Sequence, residues 1–224
     1  MKRPGVALLS MLALGWGSAA LADAKFEHLS IRVESNVTDK DFEIVFEATG
    51  GDTGWAMLKV TAPDGRVVID FKASNTKLGM RTLRLETPEP KGLASLASDY
   101  PAGEYTFAAT TVTGLGFSGT ATLSHKLPAA ATFIRPRPDE TNVPLSGLQV
   151  KWGAAKDAAS YLVTIENDET EKKVFQAELE GDSTTLSVPD RLLAPGTKYK
   201  LAIGTVAKQG NASFVETVFT TARK

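Results

Sequence analysis

The chain contains no cysteine and only two histidines in 224 residues. Without thiols it has no disulfide, no thiolate ligand and no thiol nucleophile, and a lipoprotein-type thiol anchor is excluded. His28 and His125 stand far apart, and neither has a second histidine two or four positions away, so the spacing of a metal-binding pair is missing too. No excess of charge exists to meet nucleic acid, because 25 basic residues oppose 26 acidic ones and the two signs are interspersed. The same interspersion leaves no polybasic patch for a membrane surface, and beyond the N-terminus no apolar run is long enough to span one.

What is present begins with a leader pattern. Lys2 and Arg3 precede an apolar run from Val6 to Leu14, then small residues up to Ala20-Leu21-Ala22. This predicts a signal peptide over 1–22, with Ala22-Asp23-Ala24 as an alternative cleavage triplet. Cleavage removes Lys2 and Arg3 and leaves 23 basic against 26 acidic residues, a net charge of −3. An exported, charge-balanced chain without cysteine fits a periplasmic or secreted bacterial protein whose domains rest on their hydrophobic cores alone. The sequons Asn36-Val37-Thr38 and Asn211-Ala212-Ser213 are read as chance matches.

Short runs rich in Val, Ile, Thr and Phe follow, broken by Gly, Pro and Asp/Asn clusters, the pattern of an all-β chain. Leu29, Ile31 and Val33 alternate with polar residues, as do Phe42, Ile44 and Phe46. Strands over 55–60 and 67–71 are joined by Ala62-Pro63-Asp64-Gly65, where proline presets a turn and glycine accepts a positive φ. Strand 80–85 stops at Glu86-Thr87-Pro88-Glu89-Pro90. Leu93, Leu96 and Ala97 have the spacing of one or two helical turns, and strands around Tyr105 and Phe117 close the set. The expected first domain is an immunoglobulin-like sandwich over 25–125. A small-residue linker over 126–132, followed by Arg135-Pro136-Arg137-Pro138, is expected to join it semi-rigidly to a second sandwich over 133–222. Phe133 and Ile134 are expected to open it, with strands at 148–152, 161–166, 173–179, 184–188, 198–206 and 214–221. Pro101-Ala102-Gly103-Glu104-Tyr105 echoes Pro195-Gly196-Thr197-Lys198-Tyr199, which fits two sandwiches closed by similar corners.

The second half carries Pro136, Trp152, Tyr161, the corner Leu193-Ala194-Pro195-Gly196-Thr197-Lys198-Tyr199 and Phe219-Thr220-Thr221 in order. In these residues it resembles the fibronectin type III family. The resemblance implies that Trp152, Tyr161, Leu193, Pro195 and Tyr199 belong to the structural core, Tyr199 returning its hydroxyl to the preceding corner. Some members of the family bind integrins through Arg-Gly-Asp between the last two strands; here that loop reads Lys208-Gln209-Gly210-Asn211-Ala212-Ser213, and the integrin function does not carry over.

Chemistry-bearing patterns are sparse, and no catalytic, cofactor-binding or metal-binding residue is assigned. Gly116-Phe117-Ser118-Gly119-Thr120 lacks the second flanking glycine of a nucleophile elbow. Carboxylates at Asp39 and Asp41, at Asp139 and Glu140, and at Glu166, Asp168 and Glu169 match no calcium loop, and turns attract such residues for backbone reasons. Trp55, Tyr100 and Phe117, near loop edges, form the candidate ligand surface. The expectation is a non-enzymatic recognition or scaffold protein of the bacterial envelope that needs no cofactor and binds an envelope or extracellular protein. A carbohydrate-binding module built on Trp55, with a glycan as partner, is the alternative, and a calcium-dependent enzyme stands behind both.

Overall fold

The computed structural model describes residues 24–52, 54–73 and 79–223; the expected leader lies outside them. Period-two alternation places Ile31 and Val33 on the buried face of β1 (His28–Asn36) and Arg32 and Glu34 on the other. β2 (Asp41–Thr49) buries Ile44, Phe46 and Ala48, and β3 (Trp55–Thr61) buries Trp55, Leu58 and Val60. The expected hairpin joins β3 to β4 (Val67–Lys72): Gly65 takes φ 84° and Ala62 N–H donates to Arg66 C=O at 2.8 Å. β5 (Thr82–Glu86) ends before the two prolines, and α1 (Leu93–Asp99) buries Leu96. β6 (Gly103–Thr111) and β7 (Gly116–Leu123) complete this half.

The second half contains β8 (Thr132–Arg135), β9 (Glu140–Val143), β10 (Gln149–Gly153), β11 (Ser160–Asn167), β12 (Lys173–Glu180), β13 (Thr185–Ser187), β14 (Lys198–Val206) and β15 (Ala212–Thr221). β9 is the one strand that alternation does not announce. Its polar residues Glu140, Thr141 and Asn142 are drawn into the ladder by parallel pairing with the end of β15.

Two hydrophobic cores result. One gathers Phe46, Trp55, Tyr105 and Phe107 between β1-β2-β5 and the sheet β4-β3-β6-β7. The other gathers Trp152, Tyr161, Leu201 and Phe219 between β13-β10-β8 and the strands β12-β11-β14-β15. Each large buried side chain contributes roughly 1.5–3 kcal/mol relative to exposure. The chain is thus all-β, two sandwiches in tandem. Their topologies coincide: β1, β2 and β5 connect to β4-β3-β6-β7 in the sequence order that β8, β10 and β13 follow with β12-β11-β14-β15. The short echo around Tyr105 and Tyr199 therefore marks equivalent strands, β6 and β14.

Candidate interface groove at the sandwich junction

The sandwiches are fused through a sheet rather than merely linked. β1 pairs in parallel with β15, aligning Glu34, Ser35 and Asn36 with Ala212, Ser213 and Phe214. An eight-stranded sheet therefore runs across both halves. Beyond the ladder, Val37 N–H donates to Phe214 C=O at 2.8 Å, and Glu216 N–H donates to the Thr38 hydroxyl at 2.8 Å.

Asn211 closes the junction from the inside. Its Oδ1 accepts from Val33 N–H at 2.9 Å, while Nδ2 donates to the carbonyls of Ser124 at 2.7 Å and Lys126 at 2.9 Å. One side chain, 1% exposed, thus binds β1, the linker and the turn before β15. Ser213 Oγ adds a bond to Pro128 C=O at 2.8 Å. Within the linker expected over 126–132, the carbonyls of Lys126 and Pro128 accept hydrogen bonds from Asn211, Gln209 and Ser213 of the second sandwich. Both sequons serve this junction: Asn211 is enclosed, and Asn36 Oδ1 accepts from the N–H groups of Thr38 and Asp39 as an Asx turn.

On the outer face of the shared sheet lies a groove of about 440 Å³ to which β1, β2, β5, β11, β12, β14 and β15 all contribute. Its floor holds Leu162, Ala202 and Phe214. Phe214 and Leu162 belong to neither hydrophobic core among the described residues. Gly204, in the middle of β14, makes room for the Phe214 ring; a Cβ there would overlap it. Carboxylates dominate the walls, seven against three cationic side chains. Lys200 sits between Glu166 and Glu216, at 3.6 and 3.8 Å. Burial pushes the Glu43 carboxyl up to about 7, helped by the neighbouring charges of Glu34, Glu86 and Glu89 and opposed by Arg84. Glu216 is likewise raised, first by burial and relieved in part by Lys200.

Beside the groove, Arg32 donates to Glu34 and Glu47, each at 2.7 Å, and Arg84 donates to Glu47 at 2.7 Å and Glu86 at 2.8 Å. Val45, fully buried on this outer face, lies in register between Arg32 and Glu86. Burial alone would raise Glu47, but hydrogen bonds from Arg32 and Arg84 outweigh it and hold the carboxyl at about 2.

The aromatic surface expected from sequence is not assembled. Trp55 is fully buried, its ring edge-on to Phe26 at 5.3 Å, and Phe117 is 7% exposed, 5.5 Å from the same ring. The correction has a plain cause: Trp55 is out of phase with the inward Leu58 and Val60, but a bulge between Trp55 and Met57, where β3 pairs with β6, turns its ring into the core. Tyr100 alone stays partly open, in a separate cleft beside α1, with its ring against Phe46 at 6.0 Å. Of the residues taken as structural, Trp152, Tyr161, Leu193 and Tyr199 are buried. Pro195, expected in the core, is instead exposed, because it shapes the turn that leads into β14. The Tyr199 hydroxyl accepts from Ala194 N–H at 2.8 Å, and Tyr105 donates to Pro101 C=O at 3.0 Å.

His28 is exposed at 3.7 Å from Glu47, and His125 Nε2 lies 2.8 Å from Tyr100 C=O. Among the described residues no three His, Asp or Glu side chains converge to hold a metal ion. The carboxylate-rich turns do backbone work, as where Asn167 Oδ1 accepts from the N–H groups of Glu169 and Thr170. Sequence reasoning missed Phe214, Glu43 and Asn211 as site residues. The available signal was Gly204, since a glycine inside a strand marks a close approach.

No protein-family model and no curated protein matches the chain. Solved structures similar to it include the fibronectin(III)-like modules of Clostridium thermocellum CbhA, at 9% identity and TM-score 0.34 over 92% of each chain. A two-domain fibronectin type III segment of chicken tenascin matches at 14% identity and TM-score 0.33, over 88% of this chain and 99% of that one. The FN1–FN3 domains of chicken CNTN1 match at 10% and 0.32, over 89% of this chain and 65% of that one. These neighbours are modules of the family that the second half resembles. At such TM-scores the likeness carries no argument of its own; the strand order and pairing carry the fold.

Proposed function

We propose that this chain is an exported, non-enzymatic recognition protein of the bacterial envelope, two sandwich domains of about 25–125 and 133–222 acting as one rigid platform for a protein partner. The observation that supports this is the β1–β15 ladder with Asn211 inside it. Nothing in simple tethering requires a side chain enclosed among three chain segments, whereas a surface formed by both halves requires a fixed relative placement. A preorganised surface loses little entropy on binding, which is how a flat sheet face gains affinity without a deep pocket. No helix among the described residues is long and apolar enough to cross a membrane. Periplasmic or secreted location follows from the leader pattern of residues 1–22.

The test is cross-linking in the intact cell with the full chain as bait, followed by purification from the envelope fraction. A protein recovered reproducibly with this bait, and absent with an unrelated exported sandwich protein, is the expected result. An empty capture from folded, expressed bait would contradict a stable protein partner.

A further inference from the structure

Resting on that reading, we infer that the groove over the shared sheet is the docking site, and that its occupant is an extended, lysine- or arginine-bearing segment of the partner with an apolar residue to cover Phe214. Three observations converge. The floor of Leu162, Ala202 and Phe214 faces outward, half-buried, and joins neither core, so part of its apolar area stays open to a partner. A sheet-wide groove to which seven strands contribute is long and open, the shape of an extended chain rather than of a small enclosed molecule.

Charge selects the occupant. Carboxylates outnumber cations on the walls, and those inside the protein's own ion pairs, such as Asp41 with Lys91 at 2.9 Å, do not exhaust them. Glu43 and Glu89 have no ion-pair partner among the described residues, and Glu43 feels Glu34 from β1 together with Glu86 and Glu89 from β5 and its exit, with Arg84 as the one opposing cation. A basic side chain entering here relieves repulsion that the fold leaves in place, whereas an acidic one adds to it.

Linkage gives the site a pH signature. A cationic segment favours ionised Glu43, whose carboxyl is raised to about 7, so binding strengthens as pH rises from about 6 to 8 and is accompanied by proton release.

The test uses the full chain and a short fluorescent peptide alternating lysine with leucine, beside its glutamate–leucine counterpart, read by anisotropy and by backbone chemical shifts. Saturable binding of the lysine peptide alone is expected, with shifts at Leu162, Ala202 and Phe214. Glu43→Gln combined with Glu89→Gln should weaken it about tenfold at low salt and flatten its pH dependence. Phe214→Thr, which keeps strand propensity, should weaken it as well. Equal binding of both peptides, no binding of the lysine peptide, or affinity indifferent to all three substitutions would overturn the inference. A partner captured in the cell and still captured by the Glu43→Gln, Glu89→Gln chain would remove this site while leaving the recognition reading intact.

Discussion

Asn211 Oδ1 accepts the backbone N–H of Val33, 178 residues away, at 2.9 Å, and this bond ties the start of the first sandwich to the end of the second. The same amide holds the carbonyls of Ser124 and Lys126, so its removal strands the Val33 N–H of β1 and the Ser124 carbonyl at once, while the Lys126 carbonyl keeps Gln209 Nε2 at 3.2 Å.

Asn211→Ala should therefore cost about 2–3 kcal/mol, because buried carbonyls and an N–H lose partners that water reaches poorly. For a chain of this size that is a fall in Tm of roughly 5–10 °C. Thermal unfolding reads the stability, and hydrogen exchange at Val33 and Val37 reads the junction. Asn211→Asp should be worse, since it turns a donor into a buried anion facing two carbonyl oxygens.

The two tyrosine corners should respond differently to loss of the hydroxyl. Tyr199 accepts from Ala194 N–H, so Tyr199→Phe leaves a donor unpaired, while Tyr105→Phe leaves only the Pro101 carbonyl, whose lone pairs water satisfies more easily. Losses of about 1–2 kcal/mol for Tyr199→Phe and about 1 kcal/mol or less for Tyr105→Phe are expected from denaturant melts. Equal costs would show that the direction of the hydrogen bond is immaterial.

Trp55→Ala should destabilise the first sandwich by about 3–5 kcal/mol, as removal of a fully buried indole does. Any glycan retention lost with this variant would then follow unfolding, and circular dichroism on the same sample separates the two.

Stability should change with pH in two opposite senses. Glu43 is raised to about 7, so the folded state binds the proton more tightly than the unfolded chain; stability falls as pH climbs from about 4.5 to 7. At this half-exposed site the loss, after screening, is on the order of 1 kcal/mol. Glu47 is held at about 2 by Arg32 and Arg84, so its contribution is complete above about 4.5 and is lost as pH falls towards 2. Urea melts across pH 2 to 8 should find a maximum between these windows, and Glu43→Gln should flatten its alkaline side.

Most of the strands are legible because each buries one face at a spacing of two: Ile31 and Val33 flank Arg32, while Ile44 and Phe46, and Leu201 and Ile203, keep the same period even though Val45 and Ala202 between them are apolar. The Pro63-Asp64-Gly65 turn was legible from its chemistry, and Tyr199 from its corner. β9 escaped because parallel pairing with β15, not alternation, makes Glu140 and Val143 a strand. The outward ring of Phe214 escaped because alternation gives a residue's face without saying which face is the core. Asn211 shows in the sequence only as part of a sequon in a loop, since its partners are Val33, Ser124 and Lys126, and no local pattern announces contacts so distant in the chain.

The most direct measurement is of residual dipolar couplings for backbone amides in both sandwiches of the full chain. A single alignment tensor fitting β1 to β7 and β8 to β15 together is the predicted result, because the β1–β15 ladder and Asn211 fix one half on the other. Two tensors of different magnitude would mean that the halves reorient independently, and would contradict both the shared platform and the groove built upon it.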